Sequence, residues 1–259
     1  MRKIISILLI LALLFISMFS LGSCEKKEIM TTVGVIEYVK TYWYHCVYIR
    51  PMDQDDNGIW IPIKVTKKTK TDSPFNIDTS SMPELAVGSV VEVVYDATLP
   101  KTEIWVQIKN IIYNRKTTDI PLDSYNAISV KLASSTEKVE KQKTPLKLTE
   151  GYEYAPEANE GDCDKGTVVH VAKIDDPISG YLIYLDDNTF DYNCVLTVYF
   201  IDSEAFEDEN SRMFMTEEIK RRIESFEIGY KIKVWQSATS PFKQVGIHSA
   251  QSVDIYDHN

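Results

Sequence analysis

Leu85-Ala86-Val87-Gly88-Ser89-Val90-Val91-Glu92-Val93 is one of two stretches that share a single pattern, and together they decide the fold of this chain. The other is Phe226-Glu227-Ile228-Gly229-Tyr230-Lys231-Ile232-Lys233-Val234. Both alternate apolar residues around a central glycine, a pattern typical of a turn that leads into a β-strand. Its recurrence within 259 residues indicates an internal duplication.

Further landmarks flank both stretches. A glycine-led strand precedes each one, at Gly34 and Gly166, and an alternating strand that ends in Ile112-Tyr113 or Ile255-Tyr256 follows it. The first landmark is displaced by 132 residues and the glycine turn by 141. A difference of nine residues is what an inserted loop produces, so we expect two copies of one β module with extra length in the second.

Period-two alternation and enrichment in β-branched and aromatic residues predict five strands in each copy. In the first copy they are expected at residues 32–40, 42–50, 59–65, 89–95 and 104–113, and in the second at 166–174, 181–185, 195–201, 231–236 and 244–256. The insertion in the second copy predicts a helix over 216–226. Met215, Ile219, Ile223 and Phe226 form one apolar stripe of that helix. Thr216 is its expected N-cap and Gly229 its expected stop.

A five-stranded module with a glycine turn before its fourth strand resembles the OB-fold, a small Greek-key barrel. We therefore expect an all-β protein, with a short helix in the second repeat, built from two tandem OB-like five-stranded Greek-key barrels. A generic β-sandwich is the competing shape. The predicted barrels occupy residues 31–115 and 162–257, and the polar segment 116–161 is the predicted linker, partly helical at best.

The start of the chain resembles a bacterial lipoprotein signal. A basic Met1-Arg2-Lys3, an apolar run over residues 4–19 and the lipobox Leu21-Gly22-Ser23-Cys24 carry the resemblance. It implies that residues 1–23 are removed, that Cys24 carries a diacylglycerol, and that 24–30 is a tether to the membrane. The implied location is the cell envelope, at the outer membrane, with the protein facing the periplasm or the cell surface. A membrane-spanning signal anchor is the alternative, although the apolar run is shorter than the ~20 residues a span needs.

Charge restricts the class of partner. The net charge is −10, and removal of residues 1–23 would take away Arg2 and Lys3 and bring it to −12. An acidic surface repels phosphate backbones, which argues against nucleic acid as a partner. The membrane, through the lipid on Cys24, and an envelope protein or oligosaccharide remain as expected partners.

Three cysteines remain once Cys24 is assigned to the lipid. Export to an oxidising compartment favours disulfides, so Cys46, Cys163 and Cys194 suggest one bridge and one buried thiol, or no bridge. Cys163 and Cys194 lie in the same half of the chain and are the favoured pair. Cys46 lies in an aromatic and β-branched strand, where a thiol most often acts as a small core residue.

One segment has the opening of a calcium-binding loop. Asp53-Gln54-Asp55-Asp56-Asn57-Gly58 matches its first half, but Lys64 stands where calcium needs a bidentate glutamate. Asn57-Gly58 between two apolar runs favours an acidic hairpin in which these residues supply positive φ. We therefore predict no metal site here, and the equivalent hairpin of the second copy is expected at 186–188.

Catalytic motifs are scarce. His45, His170 and His248 fall on predicted strands, where a hydrogen-bonded structural histidine is the more common role, and His258 lies near the C-terminus. The sequence contains no nucleophile elbow, no P-loop and no dinucleotide fingerprint. We therefore predict no catalytic residues and no cofactor.

Aromatic residues give the one indication of a ligand surface. They cluster on the predicted second and third strands of the first copy, with one on the fifth: Tyr42, Trp43, Tyr44, Tyr48, Trp60 and Trp105. OB-folds commonly bind ligands across that face, so the resemblance implies that a ligand surface would include some of them. The alternative is that these rings simply fill a small barrel.

The sequence therefore predicts a non-enzymatic, lipid-anchored envelope protein that binds or scaffolds a protein partner. A glycan-binding accessory lipoprotein is the second hypothesis, and an envelope hydrolase is the third.

Overall fold

The structure is a computed structural model that describes residues 28–41, 45–66, 68–71, 86–97, 124–133, 150–154, 163–186, 196–207, 214–237, 239–242 and 247–256. Its first unit consists of β1 (Ile29–Thr41), β2 (His45–Pro51), β3 (Ile61–Val65), β4 (Lys70–Thr71), β5 (Val90–Asp96) and β6 (Tyr125–Leu132). Its second unit consists of β8 (Cys163–Ile174), β9 (Gly180–Asp186), β10 (Thr197–Asp202), α1 (Glu204–Glu207), β11 (Phe214–Met215), α2 (Glu217–Glu224), β12 (Lys231–Gln236) and β14 (Ile247–Ile255). The strands β7 (Glu150–Tyr154) and β13 (Thr239–Phe242) form a separate two-stranded sheet.

Each unit is a closed barrel of five strands. In barrel 1 the order is β3-β2-β1-β5-β6, and β6 pairs in parallel with β3 to close the ring. In barrel 2 the order is β10-β9-β8-β12-β14, and β14 closes it in parallel on β10. The remaining neighbours in both rings are antiparallel. The prediction of an all-β protein with two tandem OB-like barrels is confirmed, and the sandwich alternative is not what forms.

The two glycine turns that predicted the duplication have the same geometry. Gly88 has φ 89° and Gly229 has φ 88°, a left-handed conformation that disfavours side chains with a Cβ. The Gly88 N–H donates to the carbonyl of Ile36 at 2.7 Å, and the Gly229 N–H donates to that of Val168 at 2.7 Å. The turns therefore tie the start of the fourth barrel strand to the first strand in the same way in both barrels.

The duplication extends to an irregularity of the first strand. The register of β1 against β2 shifts between Ile36 and Tyr38, and that of β8 against β9 shifts between Val168 and His170. Both bulges are displaced by the same 132 residues as Gly34 and Gly166. A bulge bends a strand and increases its twist, as closing a small barrel requires.

The last strand of barrel 1 differs from the prediction. Tyr125–Leu132 pairs with β5 and β3, although it lies inside the segment 116–161 assigned to the linker. The predicted fifth strand at 104–113 lies outside the described residues. The structural counterpart of β14 is therefore β6, and Ala127-Ile128-Ser129-Val130 corresponds to Ala250-Gln251-Ser252-Val253. Barrel 1 thus extends beyond residue 115, and Glu150–Tyr154 in the same segment is also a strand.

The predicted helix is confirmed as α2, and its stop needs correction. The Thr216 side chain accepts a hydrogen bond from the Ile219 N–H, as expected of an N-cap, and Ile219 and Ile223 are buried in the core of barrel 2. The helix ends at Glu224, and Phe226 adopts φ 54°. Gly229 therefore makes the turn into β12 rather than the helix stop.

Buried side chains form three clusters. One fills barrel 1 and one fills barrel 2. The third draws on both barrels, with Cys46, Tyr48 and Trp60 from barrel 1 and residues such as Tyr184, Leu196 and Val198 from barrel 2. The two barrels therefore share a buried apolar interface.

Candidate functional site

The aromatic residues expected on a ligand face do not form an open surface where the structure describes them. Tyr48 is 1% exposed and Trp60 is 6% exposed, and both lie in the cluster between the barrels. Tyr42, Trp43, Tyr44 and Trp105 lie outside the described residues. The two described rings neither fill barrel 1 nor face solvent, because barrel 2 covers them.

The interface is reciprocal. The Tyr48 hydroxyl of barrel 1 accepts a hydrogen bond from the backbone N–H of Leu196 in barrel 2 at 2.5 Å. The Tyr184 hydroxyl of barrel 2 accepts one from the backbone N–H of Trp60 in barrel 1 at 3.2 Å. The two tyrosines occupy equivalent positions on the second strand of each barrel, and Trp60 and Leu196 precede the third strand of each. The barrels therefore pack face to face through the same patch, as the subunits of a two-fold symmetric dimer do.

Burial leaves both tyrosine hydroxyls neutral. It raises the pKa of Tyr48 and of Tyr184 well above the usual value, although the backbone N–H that each hydroxyl accepts opposes the rise. A backbone N–H buried without a partner would cost about 1–3 kcal/mol. Each hydroxyl therefore accepts from a backbone N–H that would otherwise be buried in the interface without a hydrogen bond. These two side chains therefore have a structural role, because each binds the backbone of the opposite barrel.

Trp60 stacks on His170 at the centre of the interface. The ring centroids are 4.0 Å apart and the planes differ by 5°. His170 Nε2 lies 2.8 Å from the Gly58 carbonyl oxygen, so this nitrogen carries the proton and donates it. Burial lowers the pKa of His170 to about 4, although the hydrogen bond to Gly58 partly offsets the effect. The histidine is therefore neutral at pH 7, and the prediction of a hydrogen-bonded structural histidine is confirmed for this residue.

A polar contact borders the rings. The Tyr38 hydroxyl donates to Asp186 Oδ2 at 2.5 Å, and Lys40 Nζ lies 2.9 Å from Asp186 Oδ1. Burial, and then the contact with Asp186, raises the pKa of Tyr38. One carboxylate of barrel 2 thus bonds two side chains of β1, which fixes the relative rotation of the barrels.

The acidic segment 53–58 serves the same interface. The Gly58 carbonyl accepts from His170, and the Asn57 carbonyl accepts from the Lys173 N–H at 3.2 Å. The expectation that Asn57-Gly58 supplies positive φ is wrong, because neither residue adopts it. Gly58 provides space instead, since a Cβ there would lie 2.7 Å from the Cβ of Gln54. Within the described ranges, no three His, Cys, Asp or Glu side chains converge in a way that could hold a metal ion.

Sequence reasoning missed a polar network inside barrel 2. The Tyr199 hydroxyl donates to Asp164, and the Gln236 amide donates to Asp164 Oδ2 and to the Tyr199 hydroxyl, each at 2.9 Å. His248 lies beside Tyr199 with ring centroids 5.8 Å apart, and its pKa is lowered by burial. The side chains of Asp164, Tyr199 and Gln236 hydrogen-bond to one another, and Tyr199 is fully buried. The network is therefore suited to stabilising this end of the barrel rather than to catalysis.

The cysteine expectations have different outcomes. Cys46 is a fully buried thiol in the inter-barrel cluster, as expected of a small core residue. Cys163 is half-buried, and its predicted bridge to Cys194 stays a prediction. Cys194 itself lies outside the described residues, as does Cys24.

The signal that could have revealed the interface is the duplication itself. Once the bulges are aligned, Tyr48 and Tyr184 fall at equivalent positions, and a residue kept in both copies points to a role that both barrels share. The packing of one barrel against the other is a long-range contact, and no local sequence pattern encodes it.

Comparisons with protein-family models, curated proteins and solved structures found no match to this chain. In the described part of the chain, neither helix is long and apolar enough to cross a membrane.

Proposed function

We propose that this chain is a lipid-anchored protein of the cell envelope that acts without catalysis, as a two-barrel module that binds or scaffolds a protein partner. The observation that carries the proposal is the reciprocal interface. It joins two barrels through buried rings, two backbone-to-tyrosine hydrogen bonds and the Asp186 contacts. A rigid pair of barrels presents two outer surfaces at a fixed spacing, which suits a scaffold.

Matching exposed side chains support a protein partner. Val87 is 62% exposed and Ile228 is 60% exposed, and each directly precedes the positive-φ glycine of its turn. Apolar side chains held on tight turns are pre-ordered, so a partner that covers them loses little conformational entropy. The two turns offer the same contact twice, once on each barrel.

The other two hypotheses have less support. A glycan platform that includes Tyr48 and Trp60 would need rings that are buried between the barrels. A hydrolase would need converging polar groups with access to substrate, whereas the Asp164–Tyr199–Gln236 network is internally satisfied.

The anchor is tested at Cys24. We expect wild-type protein, expressed in a bacterium that processes lipoproteins, to incorporate radiolabelled palmitate and to sediment with membranes. Cys24→Ser should lose both properties, whereas Cys163→Ser should keep both. A Cys24→Ser protein that remains fully membrane-bound would refute the lipid anchor.

The partner is tested at the two turns. A photo-crosslinking amino acid at position 87 or 228 is expected to capture one and the same envelope protein, because both turns belong to one rigid module. The matched control carries the crosslinker at Lys68, which is exposed elsewhere on barrel 1. Capture from position 87 should be lost with Ile228→Asp, and capture from position 228 should be lost with Val87→Asp, in an otherwise folded chain. No adduct from either turn, or an equal adduct from position 68, would contradict the scaffold role.

A further inference from the structure

The outer face of barrel 2 carries a patch with more positive than negative charges, three lysines beside the single carboxylate of Asp254. Lys165 on β8 and Lys231 and Lys233 on β12 share this face with Tyr256, and we refer to these four residues as the lysine face. Lys165 and Lys231 are exposed, and Lys233 is half-buried. Within the described part of the chain none of the three ammonium groups forms an ion pair, although Asp254 stands opposite Lys233 in register.

Two of these lysines face each other directly. Lys233 and Lys165 are register partners in the antiparallel β12–β8 pair, and like charges at directly opposed positions destabilise a sheet. The ring of Tyr256 lies between them, 5.9 Å from Lys165 Nζ and 5.5 Å from Lys233 Nζ. Cation–π attraction offsets part of the repulsion, by about 0.5–1 kcal/mol at an exposed site. Within the described part of the chain, neither ammonium group beside this ring has a carboxylate within ion-pair distance.

Barrel 1 shows that the fold does not need lysines at these positions. The equivalents of Lys165, Lys231 and Lys233 are Val33, Val90 and Glu92. Val33 stands opposite Glu92 in register, so barrel 1 has one apolar and one acidic residue where barrel 2 has a pair of like charges, whereas Glu92–Lys131 and Lys233–Asp254 are opposite-charge pairs at equivalent positions of the two barrels. The positive patch is therefore specific to barrel 2, on a chain whose net charge is −10.

We propose that the lysine face binds an acidic sugar, an oligosaccharide that carries carboxylate groups. Ammonium groups attract carboxylates through charge-assisted hydrogen bonds, and an aromatic ring packs against the apolar face of a sugar ring. Trp235, half-buried at the next outward position of β12, places a second ring beyond Lys233. This proposal adds a second binding surface to the scaffold role and does not depend on it.

Size and charge favour a sugar over a macromolecular surface. Three strands about 4.8 Å apart, with about four residues of each at ~3.3 Å rise, give a face of roughly 200 Å². A stable protein interface buries about 800 Å² on each partner, far more than this face offers. An anionic bilayer would attract the three lysines but repel the rest of an acidic protein.

The proposal is tested by calorimetric titration of the full chain in neutral detergent. The probe is a trimer of galacturonic acid, and the uncharged control is maltotriose. We expect the acidic trimer to bind and maltotriose not to bind. The double variant Lys165→Gln/Lys233→Gln should weaken binding by about tenfold or more, because it removes both ammonium groups beside Tyr256. The matched double variant Lys68→Gln/Lys131→Gln changes the net charge equally on barrel 1 and should keep the affinity within about twofold.

Other outcomes would overturn the proposal. These are equal weakening by the two double variants, no binding of the acidic trimer, or binding of a glutamate hexapeptide or of phosphatidylglycerol in the micelle without binding of the sugar. The melting temperature should change little in Lys165→Gln/Lys233→Gln, since the variant removes both the repulsion and the cation–π attraction that partly offsets it, and a large fall would also contradict the geometry described.

Discussion

Two tyrosine hydroxyls connect the barrels at the scale of single residues. Removing either one leaves a backbone N–H of the opposite barrel buried without a partner, at Leu196 or at Trp60. We expect Tyr48→Phe and Tyr184→Phe each to lower the free energy of unfolding by about 1–2 kcal/mol, measured by urea titration. Because the two rings lie 6.5 Å apart, the double variant should deviate from the sum of the single changes.

A third tyrosine provides the control for this prediction. Among the hydrogen bonds of the described residues, the Tyr95 hydroxyl contacts only the Thr32 hydroxyl of its own barrel, at 3.3 Å, and no backbone N–H. Tyr95→Phe should therefore cost less, about 0.5 kcal/mol. Equal losses of unfolding free energy in all three variants would show that the inter-barrel hydrogen bonds contribute no more to stability than the Tyr95–Thr32 contact does.

At the scale of elements, β6 shows what local sequence cannot establish. Most predicted strands that the structure describes form within a few residues of their expected ends, because alternation and β-branched residues are local signals. In β6 only Val130 is fully buried, and the strand carries polar or small residues at most other positions. Its apolar pattern is therefore weak, and pairing with β5 and β3 determines its structure instead.

This placement of β6 predicts opposite responses at neighbouring positions. Val130→Asp should destabilise the protein by about 3 kcal/mol or more, because it puts a charge into the core of barrel 1. Lys131→Asp, on the exposed side of the same strand, should cost about 1 kcal/mol or less. Both are measured by thermal and urea unfolding. Similar small effects at the two positions would mean that 125–132 is a linker after all.

At the scale of the whole molecule, the duplication could be predicted from the sequence, but the packing of the two barrels against each other could not. Gly88 and Gly229 are local turn signals, and they revealed two barrels. Alternation shows which side chains of a strand share a face, but it does not show what covers the outer face of a barrel. Tyr48 and Trp60 are aromatic residues of the kind that ligand surfaces contain, and they were therefore expected on such a surface. In the structure they lie in the contact between the barrels.

Assembly of the two barrels makes the stability of the molecule depend on pH through His170. Burial holds its folded pKa at about 4, below the value of about 6.5 in an unfolded chain. The unfolded state therefore binds more protons between these values, and stability is lost as the pH falls from 6.5 towards 4. From pH 7 to pH 5 this residue should cost about 2 kcal/mol. His170→Gln keeps a donor for the Gly58 carbonyl and removes the titration, so its loss over that range, measured by urea unfolding, should be smaller by that amount. His248 and the carboxylates titrate in both proteins, and they cancel in the comparison. Parallel pH profiles would mean that the imidazole is not buried against Trp60, and the packing of barrel on barrel would then be wrong.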